Sequence, residues 1–222
     1  PLAVATLVGG YALAARGLPA AGPRTGPRPG WPEVRTLLAD RRLRGLVAAC
    51  AAHWLACAPF HLFFGLLVRE RAQSSAVTGL GVGVGIAAEV AALLWFPRLE
   101  GRAGLRTLLT FAFSGSAVRW LLLARAEGAA ALVGLQLLHG LTFGLFWATA
   151  VAAMGRLVPA PLRATGQAVF SAVVFGAGNA LGYQLAGLGY DRLGAVAPLF
   201  TWAAAAEGVA LALLWAGVRR GR

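Results

Sequence analysis

The sequence predicts an all-α membrane protein, a bundle of hydrophobic spanning helices. Three observations carry this. Apolar residues make up 59% of the chain, only 13% are charged, and the mean hydropathy is +0.71. Water-soluble folds are roughly half apolar and a quarter charged. The apolar residues fall into stretches of the length a bilayer requires, roughly 20 residues each. The basic residues collect in alternate loops, as they do in oriented membrane proteins. A chain of 222 residues could not hide this much apolar surface from water in one core, whereas lipid is itself apolar.

The elements follow in order. Residues 1–15 are apolar but too short to span. They read as the tail of a helix that starts upstream, so the chain is expected to be a C-terminal fragment of a longer protein. No basic start or small-residue cleavage site marks them as a signal peptide. Residues 16–43 form the one long linker. Its first part, 17–30, is rich in Pro, Gly and Arg and reads as irregular. Across 31–42, Trp31, Val34, Leu37 and Leu38 share one helical face, and Pro32 suits a first turn. This predicts a short basic amphipathic helix on the inner membrane surface. Residues 44–218 hold six complete spans, at about 45–68, 76–96, 105–124, 128–154, 164–188 and 195–218. Short loops between them make neighbours antiparallel. Residues 219–222 are a basic tail.

All 20 basic residues are arginine. With the loop after residue 15 taken as cytoplasmic, that side carries Arg16, Arg24, Arg28, Arg35, Arg41, Arg42 and Arg44. Arg98, Arg102, Arg106, Arg156, Arg163, Arg219, Arg220 and Arg222 share that side. The other side carries Arg69, Arg71, Arg125 and Arg192, and Arg119 lies within a span. Fifteen against four places the C-terminus in the cytoplasm. The net charge of +12 is therefore topological. Nucleic-acid binders instead gather Arg on one face among aromatics, so nucleic acid is excluded as a partner.

Several enzyme readings also fall away. Cys50 and Cys57 lie seven apart in one apolar helix, cannot pair within it and make no metal motif. The run Gly79-Leu80-Gly81-Val82-Gly83-Val84-Gly85 follows no strand and precedes no P-loop lysine. No intramembrane hydrolase signature occurs. No cofactor or metal is implied, and the chain does not read as an enzyme.

Ionisable groups at the centre of a spanning helix cost roughly 2.5–3.5 kcal/mol each and mark functional positions. Glu89 lies well inside the second span. Gly81, Gly85 and Glu89 recur every four residues, and a small-residue face allows close helix approach. That face should pack inward and carry Glu89 with it. A carboxyl buried there reads as a proton carrier, with a structural acid paired with an arginine as the alternative. His139 lies near the middle of the fourth span, with Gln136 and Phe143 on its face. It fits a proton relay, a substrate contact or a packed neutral histidine. Arg119, in the third span, could hold Glu89 ionised, bind a carboxylate or snorkel to the outer interface.

A helix tail, a long basic linker and six spans resemble the second half of a major facilitator superfamily transporter. The stretch Phe96-Pro97-Arg98-Leu99-Glu100-Gly101-Arg102 resembles that superfamily's cytoplasmic signature loop, with the acid offset by one at Glu100. Leu138-His139-Gly140-Leu141-Thr142-Phe143-Gly144, Leu162-Arg163-Ala164-Thr165-Gly166-Gln167-Ala168 and Gly187-Leu188-Gly189-Tyr190-Asp191-Arg192 resemble the phenylpropionate-permease and nucleoside-symporter-like branch, related to lactose permease.

The resemblance implies the six-helix C-terminal half of a twelve-helix bundle, plus the end of helix six. It implies a central cavity shared with an N-terminal six-helix half, lined here by His53, Gln136, Asn179 and Tyr183. Symporters like lactose permease carry an acid, an arginine and a histidine on helices eight, nine and ten. Glu89, Arg119 and His139 take those places, while Thr142 stands where a further acid is usual. The resemblance makes Glu207, in the last span, peripheral and structural. His61 falls near an outer end, and Pro59 should loosen the first span.

The function read from this is proton-coupled symport of a small organic solute across a bacterial inner membrane by alternating access. Its partners are the solute, protons, the lipid bilayer and the N-terminal half. Proton-independent uniport or efflux, or a non-transporting scaffold or sensor, are the alternatives.

Overall fold

The computed structural model describes residues 30–218. The expected helix tail at 1–15, most of the expected linker and the expected tail at 219–222 lie outside the described residues. What is described is helical, with no strand among those residues. Six helices are long and apolar enough to cross a membrane.

Helix α1, Trp31–Ala39, starts on Pro32 and buries Leu37, with Trp31 outside. The expected helix to residue 42 breaks at Asp40, which turns to an extended conformation. The Asp40 carboxylate accepts the Leu43 N–H at 2.8 Å. Aspartate satisfies an N-terminal donor better than it serves a helix interior, so the break starts the next helix.

The spanning helices are α2 (Arg41–Glu70), α3 (Ser75–Arg102), α4 (Leu105–Arg125), α5 (Gly128–Leu157) and α6 (Ala160–Leu193). The last is α7 (Ala197–Val218). Pro59 has its expected effect on α2. The helix is interrupted at Cys57 and resumes at Ala58, because proline lacks an N–H and its ring crowds the carbonyl one turn back. Pro97 does not end α3, which continues to Arg102. The expected loop at 97–104 thus shrinks to Ala103 and Gly104. At 28 residues, α3 is about 42 Å long. That exceeds the roughly 30 Å hydrocarbon layer, so its polar last turns extend beyond the lipid core. Gly194, at φ 63°, ends α6 in the left-handed conformation glycine tolerates.

Close backbone contacts set the helix arrangement. A Cβ on Gly45 of α2 would lie 2.9 Å from the Cα of Gly217 on α7. On α5, a Cβ at Gly140 would lie 2.6 Å from the Ala88 carbonyl oxygen, and one at Gly144 2.8 Å from that of Glu89. Small residues let helices approach this closely when lipid gives no hydrophobic drive to associate. Gly140–Leu145 forms a widened, π-helical turn, a local form that recurs at functional positions. Gly45→Val should force α2 from α7 and cost about 1–3 kcal/mol. Thermal unfolding of the full-length protein in lipid nanodiscs checks this, and an unshifted midpoint would contradict it.

Candidate functional site

Among the described residues, the polar side chains that link different helices inside the bundle include two networks and one rim. The first network joins α3, α4 and α5. Arg119 is fully buried, and its Nη2 donates to Gln136 Oε1 at 2.7 Å and to His139 Nδ1 at 3.1 Å. With Nδ1 accepting, the His139 hydrogen sits on Nε2, which faces Glu89 Oε2 at 3.4 Å. Gln136 Nε2 donates in turn to the Leu132 carbonyl at 2.8 Å.

This geometry follows from the glycine face of α3. Gly81 lies against Phe64 and Gln136, and Gly85 against the His139 ring. Larger residues there would push α5 away and part Glu89 from His139. Glu89 is one-third exposed.

Arg119 is not at an interface, as snorkelling would require. Its guanidinium carbon lies 4.4 Å from the centre of the Phe60 ring and 4.7 Å from that of Trp120. Such contacts favour a desolvated cation. Yet Nε and Nη1 of Arg119 are buried without any hydrogen-bond partner among the described residues. The cation is held in place and two of its donor groups are unused.

The second network contains the residue that sequence reasoning placed at the periphery. Glu207 of α7 is fully buried. Its carboxyl faces His53 Nδ1 at 2.9 Å and accepts the Trp120 indole N–H at 3.0 Å. His53 Nε2 donates to the Thr142 carbonyl at 3.0 Å, within the widened turn of α5. His53 therefore does not face an open cavity. It is enclosed, with ring centres of Phe113 at 4.9 Å and Phe146 at 4.2 Å. One proton shared between Nδ1 and the carboxyl satisfies the pair whichever partner holds it. The missed signal is that a buried acid in a span requires a partner; His53, expected at the cavity, is that partner.

His53, Cys57 and Glu207 bring three potential metal ligands within 4.8 Å of one another. Both His53 nitrogens are already engaged by protein groups, the Glu207 carboxyl and the Thr142 carbonyl. Both cysteines are free and buried.

The rim joins α2, α5 and α6. The Trp54 indole donates to Asn179 Oδ1 at 2.8 Å. The His61 ring lies 5.3 Å from Phe143 and meets Tyr183 edge-on at 6.4 Å. His61 and Tyr183 are exposed and Asn179 half-buried. Of the residues singled out by sequence, Glu89, Arg119, Gln136 and His139 are in contact. Asn179 and Tyr183 lie on the adjoining rim, and His53 is in the separate buried pair. Trp54 and Thr142 join these networks without having been expected to.

Residues 25–202 match the model of the MFS_1-like family. The chain belongs to that family. Six of its helices are long and apolar enough to cross a membrane, as a multi-pass membrane protein of that family requires. A maltose permease from Geobacillus stearothermophilus is 34% identical over 152 residues, covering 68% of this chain and 37% of that protein. The chain thus spans well under half of the permease it matches. No solved structure matches.

Proposed function

We propose that this chain is the C-terminal half of a secondary transporter that couples solute movement to protons through Glu89, His139 and Arg119. The single observation behind this is the continuous chain from Arg119 Nη2 through His139 to Glu89 Oε2. Arg119 fixes the His139 tautomer, so that Nε2–H faces the carboxylate. An ionised Glu89 is held to α5 through that contact. A protonated Glu89 loses the attraction, and α3 can move against α5. Rocking of two halves about a midplane site is how such folds alternate access. The driving energy suffices, since one charge moved through 100 mV is worth about 2.3 kcal/mol.

The rim of Trp54, His61, Phe143 and Tyr183, with Asn179 among them, supports a small organic solute. Aromatic faces pack on apolar faces of the solute while the polar tips hydrogen-bond. The maltose permease relative favours a sugar among such solutes. The Arg-rich loops support a cytoplasmic C-terminus in a bacterial inner membrane.

Glu89→Gln in the full-length protein, reconstituted in vesicles, should abolish uphill accumulation driven by a pH gradient. Solute exchange across the membrane should persist. Accumulation at the unmodified level would overturn the reading.

A further inference from the structure

At the Arg-rich end of the bundle, α2, α4, α5 and α7 enclose an apolar groove of about 220 Å³. Leu46, Leu109, Leu157 and Leu214 are among its walls, and Arg42, Arg106 and Arg156 are its charged members. Among the described residues, no carboxylate lines it.

The three guanidiniums are poorly compensated. Arg156 Nη2 donates to Glu100 at 2.6 Å, and 61% of that arginine side chain remains exposed. Arg42 is exposed and makes no ion pair among the described residues. Arg106 lies flat over Trp215, 3.6 Å from the ring centre. Its Nε is buried without a hydrogen-bond partner among the described residues. Arg106 is also the second residue of α4, whose N-terminus has no side-chain cap. A cation there opposes the helix dipole, and both favour an anion. The groove behind these charges is apolar, so a fitting ligand has a negative head and a hydrocarbon tail.

We propose that this groove binds an anionic phospholipid, its phosphate between Arg42 and Arg106 and part of an acyl chain between α2, α4, α5 and α7. Basic pockets between spanning helices recognise anionic head groups in this way. The binding geometry is independent of the transport reading; only the leaflet it faces rests on the orientation proposed above.

The test uses full-length protein in neutral detergent, with phosphatidylglycerol or phosphatidylcholine of identical chains added and bound lipid counted by native mass spectrometry. Phosphatidylglycerol should bind at least about 25-fold more tightly. One arginine near an anionic surface contributes about 1 kcal/mol, or about fivefold. Arg42→Gln with Arg106→Gln should therefore weaken phosphatidylglycerol about 25-fold and leave phosphatidylcholine unchanged. Leu157→Trp fills the groove at constant charge and should weaken both lipids. Arg42→Gln alone changes an exposed residue and should cost about fivefold, which keeps the test open if the other variants fail to fold. Millimolar glycerol 3-phosphate should not displace the lipid. Equal binding of the two lipids, unchanged binding by the arginine variants, or displacement by glycerol phosphate would each overturn the proposal.

Discussion

Glu207→Ala lowers the stability of the bundle by about 3–5 kcal/mol, the largest loss expected from truncating one residue outside the coupling chain. Glu207 ties three helices through one carboxyl, accepting from Trp120 on α4 and sharing a proton with His53 on α2. Alanine leaves two buried nitrogens without partners, and no water reaches a fully enclosed site to replace them. Hydrogen bonds between membrane helices average only about 0.6 kcal/mol, so an isolated bond would not give this figure. Two orphaned nitrogens in a dry site, with the cavity left by the side chain, together do. Glu207→Gln keeps an acceptor for the indole and should lose less. His53→Ala should be similarly costly. The double variant should fall short of the two losses summed by about 0.5–3 kcal/mol. Thermal unfolding of the four proteins in nanodiscs measures this, and strict additivity would mean that the pair does not act as a unit.

Arg119→Ala should lower transport by about two orders of magnitude. A hydrogen bond to a charged group contributes about 1.5–3 kcal/mol, and Arg119 makes one to Gln136 and one to His139. Losing the second frees the His139 tautomer, and losing the first leaves Gln136 Oε1 buried and unpaired. Arg119→Lys should not restore the rate. An ammonium cannot reach both partners in one plane while lying against Phe60 and Trp120. Initial uptake rates in vesicles, normalised to folded protein, give the comparison. Lysine transporting as well as arginine would show that charge alone matters there. A rate unaffected by alanine would remove Arg119 from the coupling chain.

Both predictions concern buried ionisable residues, and the sequence treated the two unequally. Glu89, Gly85 and Gly81 are four apart, which is enough to put them on one face. His139 and Gln136 are three apart on another. That the faces meet follows from glycines on both, because Gly140 and Gly144 of α5 seat α3 against α5. Glu207 offered no such pattern. Its helix is apolar all round, so periodicity could not tell an inward face from an outward one. Its partners are 154 and 87 residues away in the chain. Pro97 misled in the opposite sense. A proline between a span and a basic stretch resembles a helix end, yet α3 runs through it, and only Ala103 and Gly104 separate α3 from α4.

The sequence by itself determined that this is a membrane bundle of six spans, with arginine massed at one end and a few charged residues inside. Those are properties of composition and segment length, and lipid enforces them residue by residue because each helix must satisfy its own backbone and shed its own charges. Which charges meet was decided only by the tertiary structure. Contacts among Arg119, His139 and Glu89, between His53 and Glu207, and around the Arg42–Arg106 groove depend on helix rotation and on close backbone approach. Both are set by packing between segments far apart in the chain, and no local pattern encodes them.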